Sequence, residues 1–376
     1  MAESGSADAQ CMARAITLAR RGLYSTDPNP RVGCVIRHRG CIVGEGWHRY
    51  AGEPHAETHA LRMAGAAAAG ADVFVTLEPC AHQGRTSPCV ERLIDAGVAR
   101  VYAAMTDPNP QVCGKGLQRL RDAGIAVHVG LLADDAQALN PGFSRRMNDG
   151  RPWVRVKLAA SLDGRIAMAS GESRWISGAP ARRDGQFWRA RSSVVMSGAA
   201  TVRADNPALN VRLSAADLGV ARVRQPRRVV LDTQGRCDAG AQVFTLPGPS
   251  TWVQADTAAT VTALHGQAPA DGVDSVHLPT RLGAIDLQSL LRLLAARYAA
   301  NEVLVEAGSK LAGALLTQGL VDELIVYLAP HVMGDRARGL LTLPGLDTLA
   351  QRIALQWVDV RQVGDDLRVI LRPRIC

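Results

Sequence analysis

Three residues that bind soft metal ions lie within one short part of this chain, and they constrain its fold more than any other feature. They are His55, Cys80 and Cys89. One His and two Cys thiolates can hold zinc with three protein ligands, which leaves the fourth tetrahedral position to a water. Side chains that share one ion must meet in space. The intervening sequence must therefore fold back on itself, and we predict a zinc site at these residues.

The residues around the predicted ligands indicate the chemistry. Glu57 follows His55 by two positions, and Pro79 directly precedes Cys80. This order is the signature of zinc deaminases, H-x-E followed by P-C-x-x-C, in which Glu is a general acid and base off the metal. We therefore predict hydrolytic deamination with Glu57 as the catalytic residue. The rival H-E-x-x-H protease motif needs Glu directly after the first His, and position 56 is Ala.

The spacing of the two cysteines departs from that signature. Eight residues, Ala81 to Pro88, separate Cys80 from Cys89, where nucleoside and tRNA deaminases have two. The segment contains His82 and Arg85. A longer basic loop of this kind favours a substrate that carries a phosphate.

Length and cysteine usage limit the class of protein. A chain of 376 residues is long enough for two or three domains, and it has no apolar run of transmembrane length. Its N-terminus lacks the pattern of a signal peptide. We therefore expect a cytoplasmic protein without a membrane partner. In a reducing compartment its eight Cys are expected to be metal ligands or buried thiols. The structural ones would be Cys11, Cys34, Cys41, Cys113, Cys237 and Cys376.

The charge of the chain favours small anionic ligands. The net charge is +8, from 43 basic and 35 acidic residues, and the basic residues are spread along the sequence. Aromatic residues make up only 4%, whereas proteins that bind single-stranded nucleic acid usually interleave basic groups with stacking rings. We therefore predict a small phosphorylated substrate and no nucleic-acid partner.

The first half alternates between helical and strand patterns after an initial hairpin. A helix over 8–22 precedes strands at 32–36 and 41–47, and Pro54 is placed in the first turn of the next helix. Strands at 72–77, 99–105 and 125–129 alternate with helices at 89–96 and 116–123. This order predicts an α/β domain with a mixed sheet. Asn140-Pro141-Gly142 and 147–150 are interpreted as breaks, and the domains are placed at 1–147 and 148–376.

The second half predicts another α/β unit. Strands are expected at 153–159, 193–196, 228–232, 251–254, 273–277, 302–306, 323–329, 354–360 and 366–371, with helices at 286–298 and 310–318. Gly308-Ser309 lies at a strand-to-helix turn, where backbone N–H groups suit a phosphate. An ordinary helix start remains the alternative. The sequence shows no redox Cys pair, so electrons for any reduction must come from a diffusible donor.

Motifs in both halves resemble those of the bifunctional deaminase/reductase family of riboflavin biosynthesis. The likeness covers essentially the whole chain. It is carried by 28–34, 52–57, 76–80, 84–89, 157–165, 171–176, 204–209 and 305–308. Ser87 and Lys310 depart from the family pattern, since Pro and Thr are common at those places.

The resemblance implies two consecutive reactions. A cytidine-deaminase-like αβα domain would hydrolyse the 2-amino group of 2,5-diamino-6-(5-phosphoribosylamino)pyrimidin-4(3H)-one. A dihydrofolate-reductase-like α/β domain would then use NADPH to reduce the ribosyl group to ribityl. By resemblance, the NADPH contacts would be Ala159, Trp175, Thr201, Asp205, Thr233, Gly308, Ser309, Lys310, Leu311, Ala312, Gly313 and Ala314. The substrate contacts would be Ser173, Arg189, Leu209, Arg212 and Glu306, with Lys157 and Asp163 as neighbours and with Arg189 and Arg212 clamping the phosphate.

Several alternatives stay open at the level of sequence. Asn29, between two prolines, either holds the base or is a turn residue. Trp175 and Leu209 either contact ligands or pack in the core. The chain could instead be a tRNA- or nucleoside-type zinc deaminase with an unrelated appended domain, or a non-enzymatic module with structural zinc. A homo-oligomer is compatible with everything above.

Overall fold

The computed structural model describes residues 2–81, 88–256 and 272–374. The basic loop segment His82 to Ser87 and Cys376 lie outside these residues. Within the described residues, no helix is both long and apolar enough to cross a membrane. Contacts divide the chain into two compact units, Met1–Gly150 with Gly219–Arg222, and Arg151–Leu218 with Val223–Cys376.

The first unit is built on a mixed sheet with the strand order β2-β1-β3-β4-β5. Its strands are β1 (Gly33–His38), β2 (Cys41–Trp47), β3 (Asp72–Val75), β4 (Arg100–Ala103) and β5 (Ala126–Val129). β1 is antiparallel to both β2 and β3, and β3, β4 and β5 run parallel. Its helices are α1 (Ala2–Arg20), α2 (Ala56–Ala64), α3 (Cys89–Asp95), α4 (Lys115–Asp122), α5 (Ala133–Gln137) and α6 (Pro141–Asp149), with a 3-10 turn at Gly65–Ala68. The predicted hairpin and mixed sheet are confirmed.

Two glycines of β2 allow α2 to lie directly on the sheet. A Cβ atom on Gly44 would be 2.3 Å from the carbonyl oxygen of Ala60, and one on Gly46 would be 2.2 Å from that of Ala56. Neither distance is possible for a real Cβ. Because only glycine fits, the sequence of β2 fixes how closely the start of α2, with His55 and Glu57, approaches the sheet.

The second unit is built on a larger sheet with the order β11-β10-β9-β8-β14-β6-β15-β18-β17. Neighbouring strands from β11 to β15 in that order are parallel, and β15, β18 and β17 pair antiparallel. Its strands are β6 (Trp153–Ser161), β7 (Arg165–Ala167), β8 (Val194–Gly198), β9 (Arg227–Asp232), β10 (Ser250–Ala255), β11 (Val273–Leu278), β12 (Thr280–Arg281), β13 (Ala284–Ile285), β14 (Glu302–Val305), β15 (Glu323–Ala329), β16 (Arg338–Gly339), β17 (Leu355–Val363) and β18 (Asp366–Pro373).

Helices cover this second sheet. They are α7 (Ala179–Arg191), α8 (Ala199–Asp205), α9 (Ala215–Leu218), α10 (Gln242–Thr245), α11 (Leu287–Tyr298) and α12 (Ser309–Thr317), with a 3-10 turn at Leu349–Gln351. Leu290, Leu291 and Leu294 of α11 are fully buried in the main apolar cluster. The leucine spacing that predicts this helix therefore marks its core-facing side. The predicted α/β class holds for both units.

Three expectations from the sequence are wrong. Pro54 does not lie in the first turn of α2, because His55 is the N-cap residue and the helix begins at Ala56. Asn140-Pro141 does not break the chain, because Asn140 is the N-cap of α6 with Pro141 at its first position. Cys41 and Cys113 are exposed thiols, whereas Cys11, Cys34 and Cys237 are buried.

Two candidate active sites

The three predicted zinc ligands meet in the first unit. His55 lies at the start of α2, Cys80 in the loop after β3, and Cys89 is the first residue of α3. His55 Nδ1 is 3.6 Å from Cys80 Sγ and 3.3 Å from Cys89 Sγ. All three ligand atoms lie within 4.8 Å of one another. The fold therefore gathers one His and two Cys around a single point.

The distances fit a tetrahedral zinc ion. Zinc bonds of roughly 2.3 Å to sulfur and 2.0 Å to nitrogen place tetrahedral ligand atoms about 3.6 Å apart. The two His55 distances agree with that value to within a few tenths of an ångström. Neutral imidazole and thiolate are also the donor types that zinc prefers. The residues present thus match the ion that their sequence pattern predicts.

The thiol of Cys80 is prepared for metal binding. A hydrogen bond from the Cys89 thiol, the His55 ring and the N–H group of Cys89 together outweigh burial and lower the pKa of Cys80. A metal ion requires the deprotonated form. The contacts of Cys80 therefore favour the thiolate form at this position.

Glu57 lies in the first turn of α2 beside the three ligands, with only 3% of its surface exposed. Its Oε2 atom has no hydrogen-bond partner, which is costly for a buried polar atom. Burial raises the pKa of this carboxyl group. An unpartnered carboxylate oxygen with a raised pKa is suited to accepting and releasing a proton.

Asn29 belongs to this site through His48. The Asn29 side-chain amide donates to His48 Nε2 at 3.1 Å, and His48 Nδ1 lies 3.2 Å from the carbonyl oxygen of Pro54. Burial lowers the pKa of His48 to about 4, so the ring is neutral at pH 7. The His48 ring also packs edge-on against His55, with centroids 5.3 Å apart. Asn29 is thus held by a residue that contacts His55, one of the predicted zinc ligands.

Glu78 was missed by the sequence analysis. It is 4% exposed, and its carboxylate accepts backbone N–H groups from Asp107 (3.1 Å), Gly114 (2.9 Å), Gly116 (2.8 Å) and Leu117 (3.3 Å). Glu78 therefore anchors the segment 106–117 to the loop that carries Cys80. The sequence contains one sign that this segment matters. Thr-Asp-Pro-Asn-Pro occurs at 26–30, beside the site, and again at 106–110, within the segment that Glu78 holds.

The second unit contains a cleft of about 1800 Å³ at the carboxyl ends of its parallel strands. Most of the residues assigned to NADPH and substrate by resemblance line it. They are Ala159, Ser173, Trp175, Arg189, Thr201, Asp205, Leu209, Arg212, Thr233, Glu306, Gly308, Ser309, Lys310, Leu311 and Ala314.

Two of the assigned residues do not line the cleft. Ala312 is fully buried in the main apolar cluster. A Cβ on Gly313 would be 2.0 Å from the carbonyl oxygen of Thr342, so this side of α12 packs against the chain. Asp163 is also absent from the lining. Its carboxylate accepts from the Ser161 hydroxyl and from the N–H groups of Met333 and Gly334, which is a loop-holding role.

Arg189 does not have the free guanidinium that a phosphate clamp requires. Its Nε and Nη2 donate to the two carboxylate oxygens of Glu306 at 2.5 and 2.9 Å, and its Nη1 donates to the Asn210 carbonyl. Burial opposes ionisation of Glu306, but Arg189, with Lys157 and Arg212, lowers its pKa to about 2. Arg212 is exposed and forms no ion pair within the described residues. Arg212 is therefore the arginine of this pair that can take a phosphate.

Trp175 and Leu209 differ in how they meet the cleft. Trp175 is 69% exposed, with the Arg182 guanidinium 4.4 Å from its ring centroid. Leu209 is 2% exposed and belongs to an apolar cluster, so core packing accounts for its side chain. Its backbone has φ 51°, an uncommon value for a residue other than glycine. Only the tryptophan offers a large free surface to a ligand.

Comparisons with known proteins cover both units. The family model for the cytidine and deoxycytidylate deaminase zinc-binding region matches residues 6–105, and the model for the RibD C-terminal domain matches 152–369. The chain is similar to the riboflavin biosynthesis protein RibD of Escherichia coli, with 50% identity over 96% of this chain and 98% of the relative. It is 47% identical to that of Haemophilus influenzae over the full length of both.

Solved structures give the same result. Acinetobacter baumannii RibD has a TM-score of 0.88 and 44% identity, covering 99% of this chain and 100% of that one. A diaminohydroxyphosphoribosylaminopyrimidine deaminase/5-amino-6-(5-phosphoribosylamino)uracil reductase from Thermotoga maritima has a TM-score of 0.86 and 31% identity, with the same coverage.

Proposed function

The chain belongs to the family of the riboflavin biosynthesis protein RibD, and on that premise we propose which of its residues carry the two reactions. It is a bifunctional enzyme of riboflavin biosynthesis, with a zinc-dependent deaminase and an NADPH-dependent reductase. The deaminase hydrolyses the 2-amino group of 2,5-diamino-6-(5-phosphoribosylamino)pyrimidin-4(3H)-one. The reductase then converts ribosyl to ribityl, and its α/β fold is of the dihydrofolate-reductase type. An unrelated appended domain is incompatible with the family match over 152–369.

We assign deamination to residues 1–147, with His55, Cys80 and Cys89 as the zinc ligands. Bound zinc supplies the polarisation that makes a water nucleophilic at neutral pH. Glu57 accepts a proton from that water through its unpartnered oxygen and gives it to the amino nitrogen. The water would add to the ring carbon through a new C–O bond. The C–N bond would then break, the nitrogen would leave as ammonia, and the added oxygen would become the carbonyl oxygen. His48 holds the Asn29 amide in one orientation, so that its oxygen can accept from the pyrimidine.

We assign reduction to residues 148–376, with NADPH and the sugar in the cleft. NADPH, when bound, supplies the hydride. The α12 N-terminus offers backbone N–H groups to a phosphate, and the space beside Gly308 is open, since no atom lies within 4 Å of a Cβ built there. Exposed Trp175 gives a flat surface for a ring. Arg212 binds the substrate phosphate, and the Arg189–Glu306 pair fixes the wall beside it.

The observation that carries the deaminase assignment is the unpartnered Oε2 of Glu57 beside three convergent zinc-type ligands. The test supplies the diamino substrate to the pure protein, first alone and then with NADPH. We expect one ammonia per substrate without NADPH, followed by NADPH oxidation. NADPH oxidation before any ammonia release would contradict the order. Ammonia release without later oxidation would contradict the reductase assignment.

Beyond the class of substrate, we propose which other partners the protein has. A small phosphorylated pyrimidine fits both sites. We propose that neither nucleic acid nor a membrane is a partner and that the protein acts in the cytoplasm.

We also propose self-association. Strand β17 is at the edge of its sheet, and Trp357 and Val360 on it are 67% and 55% exposed. Sedimentation of the pure protein at several concentrations tests this, and a single monomeric species would contradict it.

A further inference from the structure

Two arginines at one end of the reductase cleft have no role in the assignments above. Arg203 is on α8 and Arg236 is in the turn after β9, and both side chains are exposed and line the cleft. We propose that Arg203 and Arg236 bind the 2′-phosphate of NADPH and give the enzyme its preference for NADPH over NADH. This inference rests on the cofactor-binding cleft proposed above.

The order of the strands places the adenosine half of the cofactor at this end. Thr233 follows β9, Thr201 follows β8 in α8, Gly308 follows β14, and Ala159 lies on β6. These four strands are neighbours in that order and span roughly 14 Å at the usual strand spacing. Glu306, assigned to substrate, follows β14. The ring of NADPH that donates the hydride must lie beside the substrate, and therefore near Glu306. The adenosine end of NADPH then extends away from Glu306, towards β8 and β9.

The turn that carries Arg236 is fixed by Asp232, the last residue of β9. Asp232 is 1% exposed, and its carboxylate accepts the N–H groups of Arg236 at 2.9 Å and Cys237 at 2.8 Å. Burial raises the pKa of the Cys237 thiol to about 12, and the charge of Arg203 partly opposes that shift. Arg203 is therefore within electrostatic range of the turn that carries Arg236.

The two guanidinium groups are available to a ligand. Within residues 2–81, 88–256 and 272–374, neither Arg203 nor Arg236 forms an ion pair. Two other arginines of the cleft are engaged in ion pairs, Arg189 with Glu306 and Arg174 with Asp205, and Arg212 is already assigned to the substrate phosphate.

The chemistry of a guanidinium fits the proposed ligand. Its planar fork of donors matches the oxygens of a phosphate. NADH has a hydroxyl group at the position of the 2′-phosphate, so two unpaired cations here favour NADPH selectively.

Binding measurements on the full chain test the proposal without turnover. The ligands are 2′,5′-ADP and 5′-AMP, which differ in the 2′-phosphate, together with NADP⁺ and NAD⁺. We expect R203A and R236A each to weaken 2′,5′-ADP and NADP⁺ at least about tenfold, the loss of a charge-assisted contact. Binding of 5′-AMP and NAD⁺ should stay within about twofold. R292A, which removes an exposed arginine of α11 outside the cleft, should change none of these.

Steady-state rates with NADPH and NADH complete the test. A selective fall in kcat/KM for NADPH in both variants supports the assignment. Equal losses with both coenzymes, or no loss with either, overturn it. If the unaltered protein binds NADP⁺ and the variants keep its selectivity, only this inference fails. If the unaltered protein binds neither NADP⁺ nor 2′,5′-ADP, the cleft is not the cofactor site. Both the cleft assignment and the inference on Arg203 and Arg236 are then wrong.

Discussion

The zinc-type site of the first unit and the cleft of the second assemble their residues over different distances along the chain. His55 and Cys89 are 34 positions apart, and the ligand atoms they provide are 3.3 Å apart. Arg189 and Glu306 are 117 positions apart, and their ion pair is only one part of a cleft of about 1800 Å³. A compact site depends on a few groups, each of which is essential. A distributed cleft divides binding among many contacts, so single changes there should have graded effects.

Replacing Glu57 with Gln should give the largest effect and the sharpest separation of the two sites. We expect Glu57→Gln to lower ammonia release by roughly 10²- to 10⁴-fold, the usual contribution of a general acid–base group. Zinc content should be retained, because Glu57 is not a ligand. Reduction of the deaminated substrate should be unchanged. A variant that keeps normal ammonia release would remove Glu57 from the mechanism.

Replacing Glu306 with Gln should show how much the cleft depends on one partly buried ion pair, Arg189–Glu306. The pKa of Glu306 is lowered to about 2 from 4.5, so the pair stabilises the fold fully above pH 4.5 and loses that contribution as pH falls towards 2. We expect Glu306→Gln to lower the free energy of unfolding by about 3 kcal/mol at pH 7, since one pKa unit is about 1.36 kcal/mol. The difference in the free energy of unfolding between the unaltered protein and the variant should be smaller at pH 3.5. Urea unfolding at both pH values measures it, and a pH-independent difference would show that ionisation is not the cause.

Replacing Gly46 with Ala tests whether packing around the compact site matters as much as its ligands. The added Cβ would be 2.2 Å from the Ala56 carbonyl and must displace α2. We expect Gly46→Ala to cost about 1–3 kcal/mol of stability, the usual range for overpacking, and to reduce deamination while sparing reduction. Thermal unfolding and the two assays measure this. Unchanged ammonia release would mean that the start of α2 tolerates displacement.

Replacing Arg212 with Ala should give the smallest effect of the four, as expected for one contact among many. We expect the reductase KM for substrate to rise about tenfold, with the deaminase unchanged, because one charge-assisted contact is lost. The exposed Arg292 gives the matched control, since R292A removes a cation outside the cleft. An equal loss of reductase and deaminase activity would indicate misfolding and not the loss of the contact between Arg212 and the substrate phosphate.

The elements predicted from the sequence are those whose buried faces are apolar and regularly spaced. The leucine-rich α11 is of this kind, with Leu290, Leu291 and Leu294 on its buried side. Helix α7 was not predicted, because its buried positions are Ala181, Gly185, Gln186 and Ala190, which form no apolar stripe. Helix α6 is not predicted by its sequence because Pro141 and Gly142 are typical of chain breaks, although Pro also suits the first position of a helix.

The candidate sites also contain residues that the local sequence predicts and residues whose role depends on tertiary contacts. The clustering of His55, Cys80 and Cys89 could be predicted because one ion that binds all three would require their side chains to meet. The role of Glu78 could not be, because its partners are backbone N–H groups of a distant loop, and any residue other than Pro supplies those. The Arg189–Glu306 pair depends on tertiary proximity that neither local sequence contains.

The glycines of β2 have a consequence for anyone who redesigns this enzyme. Gly44 and Gly46 contribute no side-chain atom, yet the space they leave free is occupied by the backbone of α2. Tolerance to substitution is therefore not graded by distance from the reacting atoms. A library built to alter deaminase specificity should hold these two positions constant, together with the residues that touch the substrate.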